Sequence, residues 1–353
     1  MLRAKRKSKR KFASALLIAE TLAATKNKLQ EIMPNQKTSV FFDTNSYRQI
    51  VRNKNSKEIS ELLYLIQSAE KENNIEPIST LTVNLELSAN LVEGKNGINF
   101  ENCLNGLRFL TNHCFDSEKQ IIRIASFPFF QISAMMFGAL PIDFDKQDKK
   151  FSKHFEKFKS FEKEPNLTKE FYEFVKSTLT KHKRDFSNSL IGLIKAAKYG
   201  MEQIHPKMDK KTRKRKLIEF FKSDSYAQNL SVKSLKIVAE ILDIELDDQE
   251  FQNRAYFLRK ELPISSAFFQ WILCEIIQKD IDMNSKKSKA KRWNWLWDYQ
   301  ISFLISQNTI NEGKMILVTS DKEMIQILSE NGLENNVMEI DKYLEFLNIN
   351  GSC

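Results

Sequence analysis

The sequence predicts an α/β fold, a parallel sheet split by a large all-α insertion, and three observations lead there. Short β-branched and aromatic runs alternate with amphipathic stretches over 38–143 and again over 293–353, as strands joined by helical crossovers do. Between them, over 144–292, lie long Lys-, Glu- and Phe-rich segments of helical period with few β-branched runs. Only 9 Gly and 7 Pro interrupt the 353 residues, so most of the chain reads as helix. That length exceeds what one hydrophobic core usually serves, which asks for two domains or for one domain with an insertion. At 42% hydrophobic and 28% charged residues, the composition excludes disordered and collagen-like chains.

Residues 1–37 open with a basic run, Arg3 to Lys11, before Ala13-Ser-Ala-Leu-Leu-Ile-Ala19. This resembles a signal peptide, but Glu20 cuts the apolar run short and an amphipathic pattern continues to about Met33. The reading is therefore a basic arm and helix. No stretch approaches the roughly 18 apolar residues of a membrane helix. Cys103, Cys114, Cys274 and Cys353 fit neither a zinc ribbon nor a dense disulfide framework, so they read as reduced thiols of a cytoplasmic protein.

The first strand is Thr38-Ser-Val-Phe-Phe42, ending at Asp43. A helix follows with Ile59, Leu62, Leu63, Leu65 and Ile66 on its apolar face. After an extended segment at Pro77–Leu81 comes a helix from about Val83 carrying Leu85, Leu87, Leu91 and Val92. Another helix lies near Cys103–Thr111, and Ile121-Ile-Arg-Ile-Ala125 reads as a strand. In the middle block, helices are expected at Phe151–Lys163, Leu167–Lys183, Ser189–Ile204, Thr212–Lys222, Val232–Leu242 and Ser265–Ile281. Met283–Arg292 is polar and cationic, and reads as a linker. A helix Trp293–Ile305, a strand Met315–Thr319, a helix Lys322–Glu330 stopped by Asn331-Gly332, a strand Val337–Ile340 and a helix Asp341–Leu347 complete the chain.

The net charge of +10 is unevenly spread. Residues 1–37 carry 10 basic and 2 acidic groups, 38–145 carry 9 and 13, 146–292 carry 33 and 21, and 293–353 carry 3 and 9. Basic surfaces on the arm and middle block suit a polyanion, while the acidic α/β halves suit cations. Lys210, Lys211, Arg213, Lys214, Arg215 and Lys216, with Lys291 and Arg292 of the linker, are the candidate nucleic-acid contacts, able to neutralise phosphates without reading bases. Trp293, Trp295 and Trp297 lie beside the linker, where one could stack a base; at alternating positions of one helix they cannot share a face.

Two strands end alike, at Asp43 and at Asp321, and open α/β sheets place ligands beyond the carboxyl ends of their strands. Two further acids, Glu86 and Asp298, interrupt apolar helical stretches, where a carboxylate is expensive to bury unpaired. Acids that converge raise one another's pKa unless a cation neutralises them. Three or four carboxylates are the oxygen ligand set of Mg²⁺ or Mn²⁺, which can activate water against a phosphodiester. Simpler roles exist for each: helix N-cap for Asp43 and Asp321, an exposed helix position for Glu86, and a salt bridge to Lys291 or Arg292 for Asp298.

The opening Phe41-Phe-Asp-Thr-Asn45, the helical Glu86, Asp298-Tyr-Gln-Ile and Val318-Thr-Ser-Asp321 together resemble the PIN-domain nucleases. The resemblance covers about 38–130 and 293–347. It implies a Rossmann-like three-layer α/β/α sheet and a Mg²⁺- or Mn²⁺-dependent endoribonuclease. Asp43, Glu86, Asp298 and Asp321 would then be the catalytic metal ligands, with Asn45 and Ser320 steadying the site by hydrogen bonds. RNA or single-stranded DNA would be the substrate. Family members include toxins of toxin–antitoxin pairs, RNA-processing enzymes and defence effectors, and a helical insertion would suit a protein regulator. The departure from compact members is the 212-residue interval between Glu86 and Asp298.

Two other readings compete: a nucleic-acid-binding protein whose PIN-like site is inactive, and a metal-independent ribonuclease of HEPN type. The second rests on Arg108-Phe-Leu-Thr-Asn-His113, an Arg-x4-His spacing. His154, His182 and His205 have no ligand spacing to cysteine, so a structural zinc is not expected. Phosphate loops, nucleophile elbows and kinase signatures are missing from the sequence.

Overall fold

The computed structural model describes residues 38–93, 98–142, 144–305 and 313–349. The basic arm and its expected helix, and Cys353, lie outside the described residues. The architecture is mixed, mostly helical, around a small parallel sheet.

Strand β1 (Thr38–Phe42) lies in the middle of that sheet, between β2 (Ile75–Pro77) and β7 (Met315–Val318), with β8 (Val337–Met338) beyond β7. All pairings in it are parallel, with Ser39 opposite Met315 and Phe42 opposite Val318. Pro77 ends an edge strand, where a missing N–H costs no ladder bond. Helices α1 (Thr44–Val51) and α2 (Ser56–Glu72) follow β1 directly. A capping box of Asn55 and Glu58 starts α2, and Ile59, Leu62, Leu63 and Ile66 form its buried stripe. Leu65, expected on that stripe, is exposed.

Ser79–Thr80 (β3) leads into α3 (Leu81–Glu93), which is buried nearly all round by Leu81, Val83, Leu85, Leu87 and Leu91 together with Thr82, Asn84 and Ser88. A helix without a polar face belongs inside a molecule, and α3 brings Glu86 into the interior. Helix α4 (Ile98–His113) packs on α1, α2 and α3. The strand expected over 121–125 forms as two stubs: β5 (Ile121–Ile122) pairs antiparallel with β4 (Phe115–Asp116), and β6 (Ile124–Ala125) pairs parallel with β3. Arg123 divides them because its guanidinium reaches Glu76 at 3.0 Å and Asp116 at 3.1 Å.

Helix α5 (Pro128–Phe137) then opens a run of helices: α6 (Phe144–Phe155), α7 (Lys169–Ile204), α8 (Lys210–Lys222), α9 (Asp224–Ile241), α10 (Asp248–Glu261) and α11 (Pro263–Gln278). The sequence separates 167–183 from 189–204, but α7 is one helix of 36 residues, about 54 Å long at the usual rise. The polar stretch between those halves holds no Pro or Gly to stop it. Helix α10 has no counterpart in the sequence reading: it buries only Phe251, Ala255, Leu258 and Glu261, and is held at its start by the capping box of Asp247 and Glu250.

Helix α12 (Lys289–Ser302) starts four residues earlier than expected, so the end of the supposed linker is helical, preceded by a 3-10 turn at Lys286–Ser288. After β7 come α13 (Lys322–Glu330), ended by Gly332 at φ +73°, and α14 (Ile340–Phe346). One continuous core joins Val40, Phe41, Phe42 and Val318 of the sheet to Phe151, Phe155, Phe171, Phe268 and Ile272 of the helical block. A smaller cluster unites α5, α9 and α10 with Phe303.

Candidate active site: a carboxylate cluster at the strand ends

Because β1 and β7 pair in parallel, Asp43 and Thr319 emerge side by side at the carboxyl edge of the sheet, where the Asp43 N–H still donates to Val318 O at 3.0 Å. The Asp43 carboxylate is 8% exposed and caps α1, taking the Ser46 N–H on Oδ1 at 2.6 Å. Its Oδ2 accepts the Thr319 hydroxyl at 2.5 Å. The Thr319 oxygen in turn accepts the Asp321 N–H at 3.0 Å, and Asp321 caps α13 through Met324 N at 2.8 Å. The N-cap role considered for both aspartates is therefore present, and it fixes their carboxylates at one rim.

Glu86 is not an exposed helix position. Its Oε2 accepts the hydroxyl of buried Thr44, and burial pushes its carboxyl up to about 7 against the pull of that hydroxyl, with Asp43 adding to the rise and Arg48 and Lys183 opposing it. Asp298, on α12, makes no salt bridge to Lys291 or Arg292. Lys291 instead lies 3.7 Å from Glu275 and 3.8 Å from Glu323. Among the described residues, no hydrogen bond or ion pair reaches the Asp298 carboxyl. Burial and then the charges of Asp321, Glu86, Asp43 and Glu323 lift it well above the ordinary carboxylate range. Burial raises Asp43 too, with Asp321 adding to it and the Thr319 and Ser46 hydrogen bonds opposing.

The four acids thus act on one another electrostatically although they come from four elements. Among the described residues, however, no three His, Cys, Asp or Glu side chains stand close enough to hold a metal ion as arranged here. Their hydrogen bonds turn Asp43 and Asp321 toward helix N–H groups and Glu86 toward Thr44. By donor type and charge the set fits a hard divalent cation. Its oxygens are those Mg²⁺ and Mn²⁺ take, and Asp298 has a half-buried carboxyl without a counter-charge among the described residues.

The supporting residues are not the ones expected. Asn45 and Ser320 are exposed and make no hydrogen bond to the acids; their neighbours Thr44 and Thr319 do, and Ser46 anchors α1 through its hydroxyl on Val318 O at 3.0 Å. The available signal was a threonine within two residues of each strand end, Thr44 and Thr319, both buried. Glu323 joins the cluster as a fifth acid, its carboxyl raised by burial and by Asp321 while Lys291 opposes.

Among the predicted nucleic-acid contacts, Lys210, Lys211 and Arg215 are exposed on the first turns of α8. Arg213 pairs with Glu202 and Lys214 with Asp280, each at 2.9 Å. Lys216 is half-buried on the same helix. Arg292 has to be corrected: it is buried, and its guanidinium binds Met283 O and the Ser288 hydroxyl, organising the turn before α12 rather than facing a ligand. Trp295 and Trp297 are also buried, which leaves Trp293 alone of the three near the surface.

The HEPN pair has to be corrected as well. His113 is 1% exposed and its Nε2 lies 2.9 Å from both oxygens of buried Glu70. Arg108 is buried and donates to Lys163 O at 3.0 Å. Neither side chain can meet RNA. Cys103, Cys114 and Cys274 are free and buried, and no described helix is long and apolar enough to cross a membrane. Comparison with protein families, with curated proteins and with solved structures gives no match, so the functional reading rests on the residues themselves.

Proposed function

We propose that the chain is a PIN-like, Mg²⁺- or Mn²⁺-dependent endoribonuclease of Rossmann-like fold, with Asp43, Glu86, Asp298 and Asp321 as its metal-holding acids. The observation that carries this is Asp298: a half-buried carboxyl, facing the like charges of Asp321, Glu86, Asp43 and Glu323 and lacking a counter-charge among the described residues, is costly unless a cation is its partner. A bound Mg²⁺ or Mn²⁺ would supply Lewis-acid stabilisation of the phosphodiester and a more acidic water. The chain itself does the rest. Thr319 and Thr44 orient Asp43 and Glu86 through their hydroxyls. The sheet edge fixes Asp43 and Asp321, and Lys210, Lys211 and Arg215 hold RNA phosphates at a distance from the reaction.

A binding protein with an inactive site is the second reading, favoured by the engagement of Asp43 and Asp321 as helix caps. Incubating the full chain with labelled single-stranded RNA decides between them. Cleavage is expected with Mg²⁺ or Mn²⁺ and none with EDTA, and Asp43→Asn or Asp298→Asn should lose at least about 100-fold, near 2.7 kcal/mol of transition-state stabilisation. Retention of RNA by a wild type that cuts nothing with either ion would establish the binding reading instead.

A further inference from the structure

We propose that Lys146, Lys150, Lys153 and Lys157 of the helical block form a track for the phosphates of single-stranded RNA on the approach to the carboxylate cluster. This deepens the nuclease reading above and rests on its substrate being RNA. Intervals of 4, 3 and 4 residues place the four on one side of α6 and of the 3-10 turn Glu156–Phe158 that continues it. Phe151 and Phe155 fill the opposite side and are buried, whereas Lys146, Lys150 and Lys153 are exposed and Lys157 is half-buried. Successive lysines then stand about 4.5–6 Å apart along the axis, a line of charges suited to the line of phosphates on one strand.

Two observations set this stripe apart from an ordinary solvated helix face. Rings of α7 fix two of its ammonium groups: Lys150 Nζ lies 4.5 Å from the centroid of Phe174, and Lys157 Nζ 5.8 Å from that of Phe171. A cation over a ring is held in place without being neutralised. Second, no ion pair among the described residues joins any of the four to an acid, although Asp145 and Glu156 neighbour them in sequence; Glu170, at the start of α7, feels the charge of Lys157. The cations converge on His154, whose ring stacks on Phe174 at 4.4 Å. Burial lowers the pKa of that ring, and Lys157, Lys150 and Lys153 lower it further. Like charges at such spacings repel, and a polyanion laid along them relieves the repulsion.

Helix α7 sets the distance from this stripe to the acids. Phe151 and His154 meet it at Phe174. Eight residues further along, about 12 Å at the usual rise, His182 Nδ1 lies 3.1 Å from Gln300 Nε2, two residues past Asp298. Phe127 spans the interval, its ring 5.5 Å from that of Phe151 and 4.7 Å from that of His182. The cations of α8 come only after the far end of α7 at Ile204, another 22 residues and about 33 Å beyond His182. Of the two cationic helices, α6 is therefore the one near enough to grip nucleotides next to the reacting one. Lysines do this as point charges that hold phosphate oxygens without reading bases, so the ligand is single-stranded RNA of any sequence.

The test is fluorescence anisotropy of a short labelled single-stranded RNA titrated with the full chain in Ca²⁺ over a range of salt. Lys150→Gln, Lys153→Gln and Lys157→Gln together should weaken binding at least about 10-fold and lower the salt slope by about two, since each phosphate neutralised on a single strand contributes about 0.7. The same three positions changed to Arg should keep both, with melting curves confirming that each variant is folded. The histidines give a second readout by NMR: on adding RNA, the His154 ring resonances should move while those of buried His113 stay. Wild-type affinity and slope in the triple Gln variant would overturn the proposal, as would a stationary His154. So would stronger binding of poly-glutamate than of RNA, or no RNA binding by the wild type. Cleavage is scored apart from this: a wild type that binds through α6 but cuts nothing sinks the nuclease reading alone, and a triple Gln variant that binds and cuts like the wild type sinks the track alone.

Discussion

Two groups of ionisable side chains inside this molecule behave in opposite ways. At the carboxylate cluster like charges face each other; at His113 opposite charges meet. Asp298→Asn removes one of the opposed acids, and so should stabilise the metal-free protein by about 1–3 kcal/mol while abolishing the upward shift in melting temperature that Mn²⁺ confers on the wild type. Equal Mn²⁺ shifts in both proteins would exclude Asp298 from the ion. His113 works differently: burial disfavours its charged ring, but Glu70 and Cys114 more than offset this and raise its pKa to about 10. Since the folded value lies above that of the free imidazole, the stabilisation is whole below about pH 6.5 and is lost as pH rises through about 10. Urea midpoints should therefore decline from pH 7 to 10. Glu70→Gln, which leaves the buried imidazolium without its counter-charge, should cost about 3–5 kcal/mol and flatten that decline. At this scale the sequence shows the acids but not their company. Asp43, Glu86, Asp298 and Asp321 stand out by residue type and local context, whereas Thr44 and Thr319 matter through contacts spanning 42 and 276 positions, which no local pattern records.

Among the elements, α8 carries its cations against its own interest. Lys210, Lys211, Arg213 and Lys214 crowd the positive end of the helix dipole, where Asp209 is the acid that caps it through Thr212 N at 3.0 Å. Replacing Lys210, Lys211, Arg215 and Lys216 by Ala should leave the fold at least as stable and lower the salt slope of RNA binding by about 3–4, measured by the same anisotropy titration. An unchanged slope would remove α8 from the RNA path. Elements were legible where one physical signal dominated. β1 and β7 announce themselves as apolar runs ending at Asp43 and just before Asp321, and α2 by its stripe. α10 was not, because a helix that buries three apolar side chains owes its start to a capping box and its position to its neighbours. The division of 121–125 into two stubs was invisible as well, since it depends on where Glu76 and Asp116 meet Arg123.

Across the whole molecule, charge divides the chain into basic and acidic parts, but the core does not respect that division. Phenylalanines of α6 and α7 share one cluster with the strands, so the helical block cannot be lifted out as a separate body. Calorimetry should show a single cooperative transition, and replacing residues 144–288 by a flexible linker should yield no folded protein. Two resolved transitions, or a soluble and folded deletion, would show that the block is autonomous. Composition changes sharply near 144, but the shared core was not legible, because periodic Phe indicates that a helix buries a face without saying against what.

The order of strands across the sheet has a consequence for synthesis. β1 leaves the ribosome more than 270 residues ahead of its partner β7. Until then one edge of the central strand stands open, and two of the four acids do not yet exist. A nascent or truncated chain thus carries Asp43 and Glu86 without Asp298 and Asp321. Until β7 is made, the candidate site is incomplete and an unpaired strand edge must be shielded for the same interval.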